Sequence, residues 1–256
     1  VVAAAAAAAR DMSPILVAER VNKTFGAVVA AADIDLAIER DSVVSLIGAN
    51  GAGKTTFLNM ITGYLQPSSG RIRFDGRDLT GLAPRQVTAL GISRSFQIPQ
   101  LLGTLSVRDN LRVAEDIAGS RAVAAATDEL LARFALTPYA DRAAALLPEG
   151  VRKLLDVAMA LVTRPRVLLL DEPTSGVAAD EKFDLMDRVM AAVQGVTVLF
   201  VEHDMDIVAR YSQRVIAFYD GRVIADGAPG DVLASESVRR YVIGESIEPA
   251  REHAAA

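Results

Sequence analysis

Along this chain the apolar positions fall into short continuous runs and longer helical stretches. The segments ILVAE (15–19), DIDLAI (33–38) and SVVSLI (42–47) predict strands. The last of them leads through a glycine-rich turn into KTTFLNMITGYL (54–65), which has helical length. After GRIRF (70–74) and GISRSF (91–96) the residues become helix formers from about 107 to 161, and ATDELLARFAL is amphipathic. RVLLLD (166–171) and VTVLFVE (196–202) are the kind of unbroken apolar run that a parallel sheet buries on both faces, with the helical DEKFDLMDRVMAAV (180–193) between them. RVIAFYDGRVIADG (214–227) predicts a hairpin about Asp-Gly, followed by a helix near 231–243. The expected core is α/β with a helical insertion over about 98–161, and no internal repeat is present.

Composition narrows the function without naming it. With 256 residues, 51% hydrophobic and 23% charged, the chain can bury a large core and fits one elaborated domain. Its net charge is −5, from 27 basic and 32 acidic residues, and no basic run stands out, so nucleic acid is not expected as a partner. The absence of cysteine excludes disulfides, thiol catalysis and cysteine-ligated zinc, and two histidines, His203 and His253, argue against a multi-histidine metal site. Residues 1–11 form an alanine-rich low-complexity tail without a basic n-region, Met12 is the expected start, and residues 245–256 form a polar tail. No run of about 18 strongly apolar residues occurs, so work at a membrane would go through a partner.

Chemistry concentrates in GANGAGKTT, residues 48–56. Gly48, Gly51 and Gly53 let the backbone wrap so that several N–H groups face inward around a phosphate, and Asn50, Ala52 and Thr56 complete the expected nucleotide-binding loop. The helix that starts near Lys54 adds the positive end of its dipole, and Lys54 adds a point charge for the β and γ phosphates. Thr55 can hold Mg²⁺ through its hydroxyl. The full G-x-x-x-x-G-K-T spacing, between a strand and a helix, favours a P-loop NTPase over a structural turn. VLLLDEP supports this independently: Asp171 ends an apolar strand at the sheet edge, within reach of the metal, and Glu172 is placed to polarise a water for attack on the γ phosphate.

GANGAGKTT, SFQ (95–97), LLLDEPTSG (168–176) and VEHD (201–204) together resemble the nucleotide-binding subunits of ABC transporters in order and rough spacing, over about residues 15–244. The resemblance implies a RecA-like mixed sheet with flanking helices, an N-terminal antiparallel β part and an inserted helical subdomain within 12–244. It also implies residue roles: Phe25 stacks on adenine, Gln97 joins the magnesium and signals to the membrane subunits, and His203 contacts the γ phosphate. FLNMITGYLQPSSGRIRFDGRDLTGL, GISRSFQ, VEHDMDIV and ADGAPGDVLASESVRRYVIGE are similar to the larger ATPase subunit of branched-chain amino-acid-type importers. Such subunits bind ATP and Mg²⁺, work in pairs at the cytoplasmic face of the inner membrane, and drive integral-membrane permeases that a periplasmic binding protein supplies. The solute is open at this point, since urea, a short amide or an aromatic acid would suit as well as an amino acid.

Two stretches depart from the family pattern. At the Leu-Ser-Gly-Gly-Gln signature this chain has Leu147, Pro148, Glu149, Gly150 and Val151, and only the second glycine remains. The signature addresses the γ phosphate of the opposite subunit through a helix N-terminus. Glu149 would repel that phosphate if it faced it, or satisfy the helix's own donors; if it turns aside, the Gly150 N–H still serves. In the loop after Glu172, where the family commonly has Asp or Asn, Ala178 stands. Both changes affect what the chain offers a partner, which suggests an asymmetric pair with a second ATPase, against a tolerated variant of normal activity that pairs with itself. A soluble, non-transport ABC ATPase is the alternative function, although such proteins usually carry coiled-coil insertions or two such domains.

Overall fold

The computed structural model describes residues 13–119 and 126–244, so the N-terminal tail and the C-terminal tail lie outside the described residues. Two sheets carry the fold. The first is antiparallel, in the order β2-β1-β4-β5, with β1 Leu16–Phe25, β2 Val28–Ile38, β4 Ser69–Phe74 and β5 Arg77–Asp78. The second has the order β10-β9-β3-β8-β7-β6, from β3 Val43–Ile47, β6 Ile92–Ser95, β7 Val167–Asp171, β8 Thr197–Val201, β9 Arg214–Tyr219 and β10 Arg222–Gly227. Its strands are parallel except for the β9–β10 hairpin, whose turn residues Asp220 and Gly221 both have positive φ, as Asp-Gly hairpins require.

The unbroken apolar runs follow from burial on both faces of this second sheet. In β8, Val198 and Phe200 point into one core while Leu199 and Val201 point into the other, and β7 divides in the same way. On one face lie the antiparallel sheet and helix α1 (Lys54–Ile61), and Phe57, Leu58 and Ile61 of that helix are fully buried. On the other lie α3 (Val107–Ala118), α4 (Ala126–Arg133), α5 (Glu149–Leu161), α6 (Lys182–Ala192), α7 (Met205–Tyr211) and α8 (Pro229–Ala234). Between β6 and β7, short 3-10 turns at 137–139 and 144–146 interrupt the stretch of helix formers.

Several boundaries differ from the sequence expectation for local reasons. Helix α1 stops at Ile61, before Gly63 at positive φ, instead of running to 65. Strand β2 begins at Val28 instead of 33, because a register shift and the left-handed Asp33 break its alternation. Helix α2 (Pro84–Leu90), opened by Pro84 and closed by Gly91, is an element beyond those the sequence pattern predicts. The expected helix near 231–243 is α8, a turn at 236–238 (α9) and a π-helical turn at 239–243.

Candidate active site at the sheet edge

The loop after β3 and the ends of β6, β7 and β8 converge at the C-terminal edge of the parallel strands, where ligands of open α/β sheets bind. The loop is held tightly. A Cβ on Gly48 would lie 2.4 Å from the Phe218 carbonyl oxygen, and one on Gly53 would lie 2.5 Å from that of Ala30. Gly48, Gly51 and Gly53 all have positive φ. Lys54 crosses the loop and donates from Nζ to the carbonyls of Gly48 at 2.6 Å and Ala49 at 3.0 Å. Burial lowers its pKa, and the nearby carboxylates of Glu172 and Asp171 oppose that shift. The first-turn N–H groups of Lys54, Thr55 and Thr56 lack intrahelical acceptors by the geometry of a helix start, and Asn50 and Thr55 are exposed. Ala52 is buried, and its N–H donates to the Ala49 carbonyl within the loop, 3.1 Å away. Ala30 lies against Gly53, and Phe25, half-exposed under the Lys23 ammonium, ends β1 on the same hairpin.

Opposite the loop, three predicted residues meet. Glu172 accepts from Gln97 Nε2 at 2.6 Å through one carboxylate oxygen, and its other oxygen lies 3.0 Å from His203 Nε2. Glu172 has a left-handed backbone, φ 49°, which is uncommon for a residue with a side chain and concentrates at functional sites. Its N–H is fixed to Val201 O at 3.0 Å. Asp171 is buried and bonds Arg94 Nη2 at 2.5 Å through Oδ2, while Arg94 Nη1 donates to Asn59 of α1 at 2.6 Å.

Four residues that sequence reasoning passed over organise this edge. Arg94 is one. Glu202, buried, accepts from Thr174 N and Oγ1 and from His203 N, so it ties the segment after Glu172 to the histidine. Asp156, buried in α5, accepts from Ser95 Oγ, Phe96 N and Gln100 N, and burial raises its pKa against those bonds. Lys153, also buried in α5, donates to the Gln97 carbonyl. Glu202 lies inside the VEHD motif, and that membership is its one signal in the sequence.

At the signature position the helix opens directly on the altered residues. Helix α5 begins at Glu149 with Pro148 as its N-cap and no side-chain cap. Glu149 caps none of the helix donors; its carboxylate lies 3.6 Å from Arg152. Gly150 is half-buried in the first turn, and Ala178 is exposed. His253 lies outside the described residues.

Residues 31–175 match the family model for ABC transporters. The chain belongs to the ABC transporter ATP-binding family. A high-affinity branched-chain amino acid transport ATP-binding protein of Pseudomonas aeruginosa is 34% identical to it over 252 residues, which cover 91% of this chain and 99% of that protein. A probable branched-chain amino acid transport ATP-binding protein of Methanocaldococcus jannaschii is 32% identical, covering 92% of this chain and 100% of that one. A solved ATP-binding cassette of an ABC transporter in its ADP conformation superposes with a TM-score of 0.82 at 31% identity, over 91% of this chain and 99% of that chain. This ABC ATPase is therefore an ATP-hydrolysing cassette with the P-loop fold.

Proposed function

We propose that the chain is the ATPase subunit of a multi-subunit importer, that it takes ATP in the 48–56 loop, and that Glu172 is its general base. The observation that carries the reading is the bonded set Gln97–Glu172–His203 at the strand ends, with Lys54 close enough for Glu172 to act on its ionisation. The likeness over nearly full length to branched-chain amino acid transport ATP-binding proteins supports a branched-chain amino acid or a related small polar solute as cargo.

The loop N–H groups and Lys54 bind and orient the phosphates, and Phe25 offers its exposed ring to adenine. Thr55, Asp171 and Gln97 would hold Mg²⁺: their oxygens are hard donors, and among the described residues no group of three His, Cys, Asp or Glu competes as a metal cage. That suits an ion carried mainly by phosphates and one carboxylate. The ion supplies charge neutralisation at the phosphates. Glu172 takes the proton of the attacking water, and His203, on the other carboxylate oxygen, orients Glu172 and reaches the γ phosphate.

The transport names of the relatives support integral-membrane permeases as the partners that ATP hydrolysis would drive. The subunit would sit peripherally on the cytoplasmic face of the inner membrane, with a periplasmic binding protein acting at one remove. A second ATPase completes the site: Pro148, Glu149 and Ala178 weaken what this chain gives its partner, whereas its own loop and Glu172 are intact. The Gly150 N–H is the donor that the altered signature retains. The test separates binding from turnover. Glu172→Gln is expected to bind ATP normally and lose hydrolysis about 10²-fold or more, and Lys54→Ala to lose binding itself; undiminished hydrolysis by Glu172→Gln contradicts the reading.

A further inference from the structure

Helix α5 carries a lysine that is out of place for a structural residue. Lys153 is 2% exposed, and its Nζ donates to the Gln97 carbonyl at 2.5 Å and to the Glu172 carbonyl at 3.2 Å. Burial lowers its pKa, against the pull of Glu149, Asp156, Glu202 and Glu172. An isolated ammonium is costly to bury, and an apolar side chain of similar size is generally at least as stabilising. The two residues whose backbones it joins are the same two whose side chains bond each other at the site. Asp156, one turn further along α5, holds the backbone N–H groups of Phe96 and Gln100 on either side of Gln97. One helix face therefore fixes both the Gln97 segment and the left-handed Glu172.

We propose that Lys153 is a positioning residue for hydrolysis, which sets the Glu172 carboxylate and the Gln97 side chain in register through their carbonyls. The inference rests on the reading of Glu172 as the general base.

A double-mutant cycle on the full chain with Mg²⁺-ATP tests it. Lys153→Met is expected to lower kcat by about ten- to a hundred-fold, the scale of a misplaced catalytic group, with KM for ATP changed less than about two-fold. In a Glu172→Gln background the same substitution should cost the residual rate clearly less, about two-fold or under, because, of the two groups it positions, only Gln97 can still respond. Equal fold-losses in the two backgrounds, or a loss seen mainly in KM, would show that Lys153 serves folding or binding and overturn the inference alone. Full activity of Glu172→Gln by itself would overturn the base assignment, and the inference with it. If Lys153→Met does not fold, Lys153→Gln is used in the same cycle and judged by the same outcomes.

Discussion

Asp75, in the turn between β4 and β5, accepts from Arg40, which lies between the two sheets in the chain, and from Arg166 at 2.6 Å, just before β7. One carboxylate thus pins the antiparallel sheet to the parallel one. Hydrogen bonds from Arg40 first and Arg166 second hold its pKa down to about 2, below the ordinary 3.8. A depressed folded-state pKa contributes stability above the unfolded value that is lost as the pH falls through the folded one. Asp75 is 36% exposed, so solvent screening limits the effect to about 1 kcal/mol or less. Asp75→Asn should lower the unfolding free energy by that amount near neutrality, and the difference from the parent should shrink as the pH falls from about 4 through about 2. Denaturant titrations across that range check it, and a difference undiminished at about pH 2 would contradict it. Lys54 with Thr55, and Asp171 with Glu172, are legible in the sequence because each pair sits inside its own motif of a few residues. Arg94 and Lys153 are not, because their partners lie 77 and 56 residues away in the chain and only the folded sheet edge brings them together.

Among elements, the strand–loop–helix of β3, the phosphate loop and α1 has the least freedom. Gly53 sits at φ +104° with the Ala30 carbonyl where a Cβ would go, whereas Gly51, at φ +81°, faces open space. Gly53→Ala should therefore cost about 1–3 kcal/mol through strain and displaced backbone, and Gly51→Ala about 1 kcal/mol from φ alone. Thermal unfolding of the two variants should rank them in that order; equal losses would mean that the close approach of β2 to the loop is not maintained. Elements with strong periodicity or buried runs, such as β7, β8 and the β9–β10 hairpin, were legible in the pattern. The short ones were not. Helix α7 has seven residues and depends on Asp204, whose side chain accepts from Asp206 N and Ile207 N, and α2 depends on Pro84 and on Gln86 accepting from Ala83 N. Caps of this kind are weak signals in a linear sequence, because the same residues also make ordinary turns.

As a whole molecule, the chain is two sheets with α1 between them and a layer of helices beyond, and the site lies at one edge where the loop, the strand ends and the Gln97 segment meet. The general architecture follows from apolar runs of two periods. The contact between α5 and the site does not, since it depends on the face that Lys153 and Asp156 share. In the proposed function the chain works as one half of a nucleotide-closed pair with a companion ATPase, its own loop and Glu172 forming the working site. Light scattering on purified Glu172→Gln protein, alone and mixed with the companion, with and without Mg²⁺-ATP, tests this most directly. The account predicts a monomer alone under both conditions and a hetero-pair only when companion and Mg²⁺-ATP are both present. A homodimer formed by this chain alone on adding Mg²⁺-ATP, or no association with the companion, would contradict it.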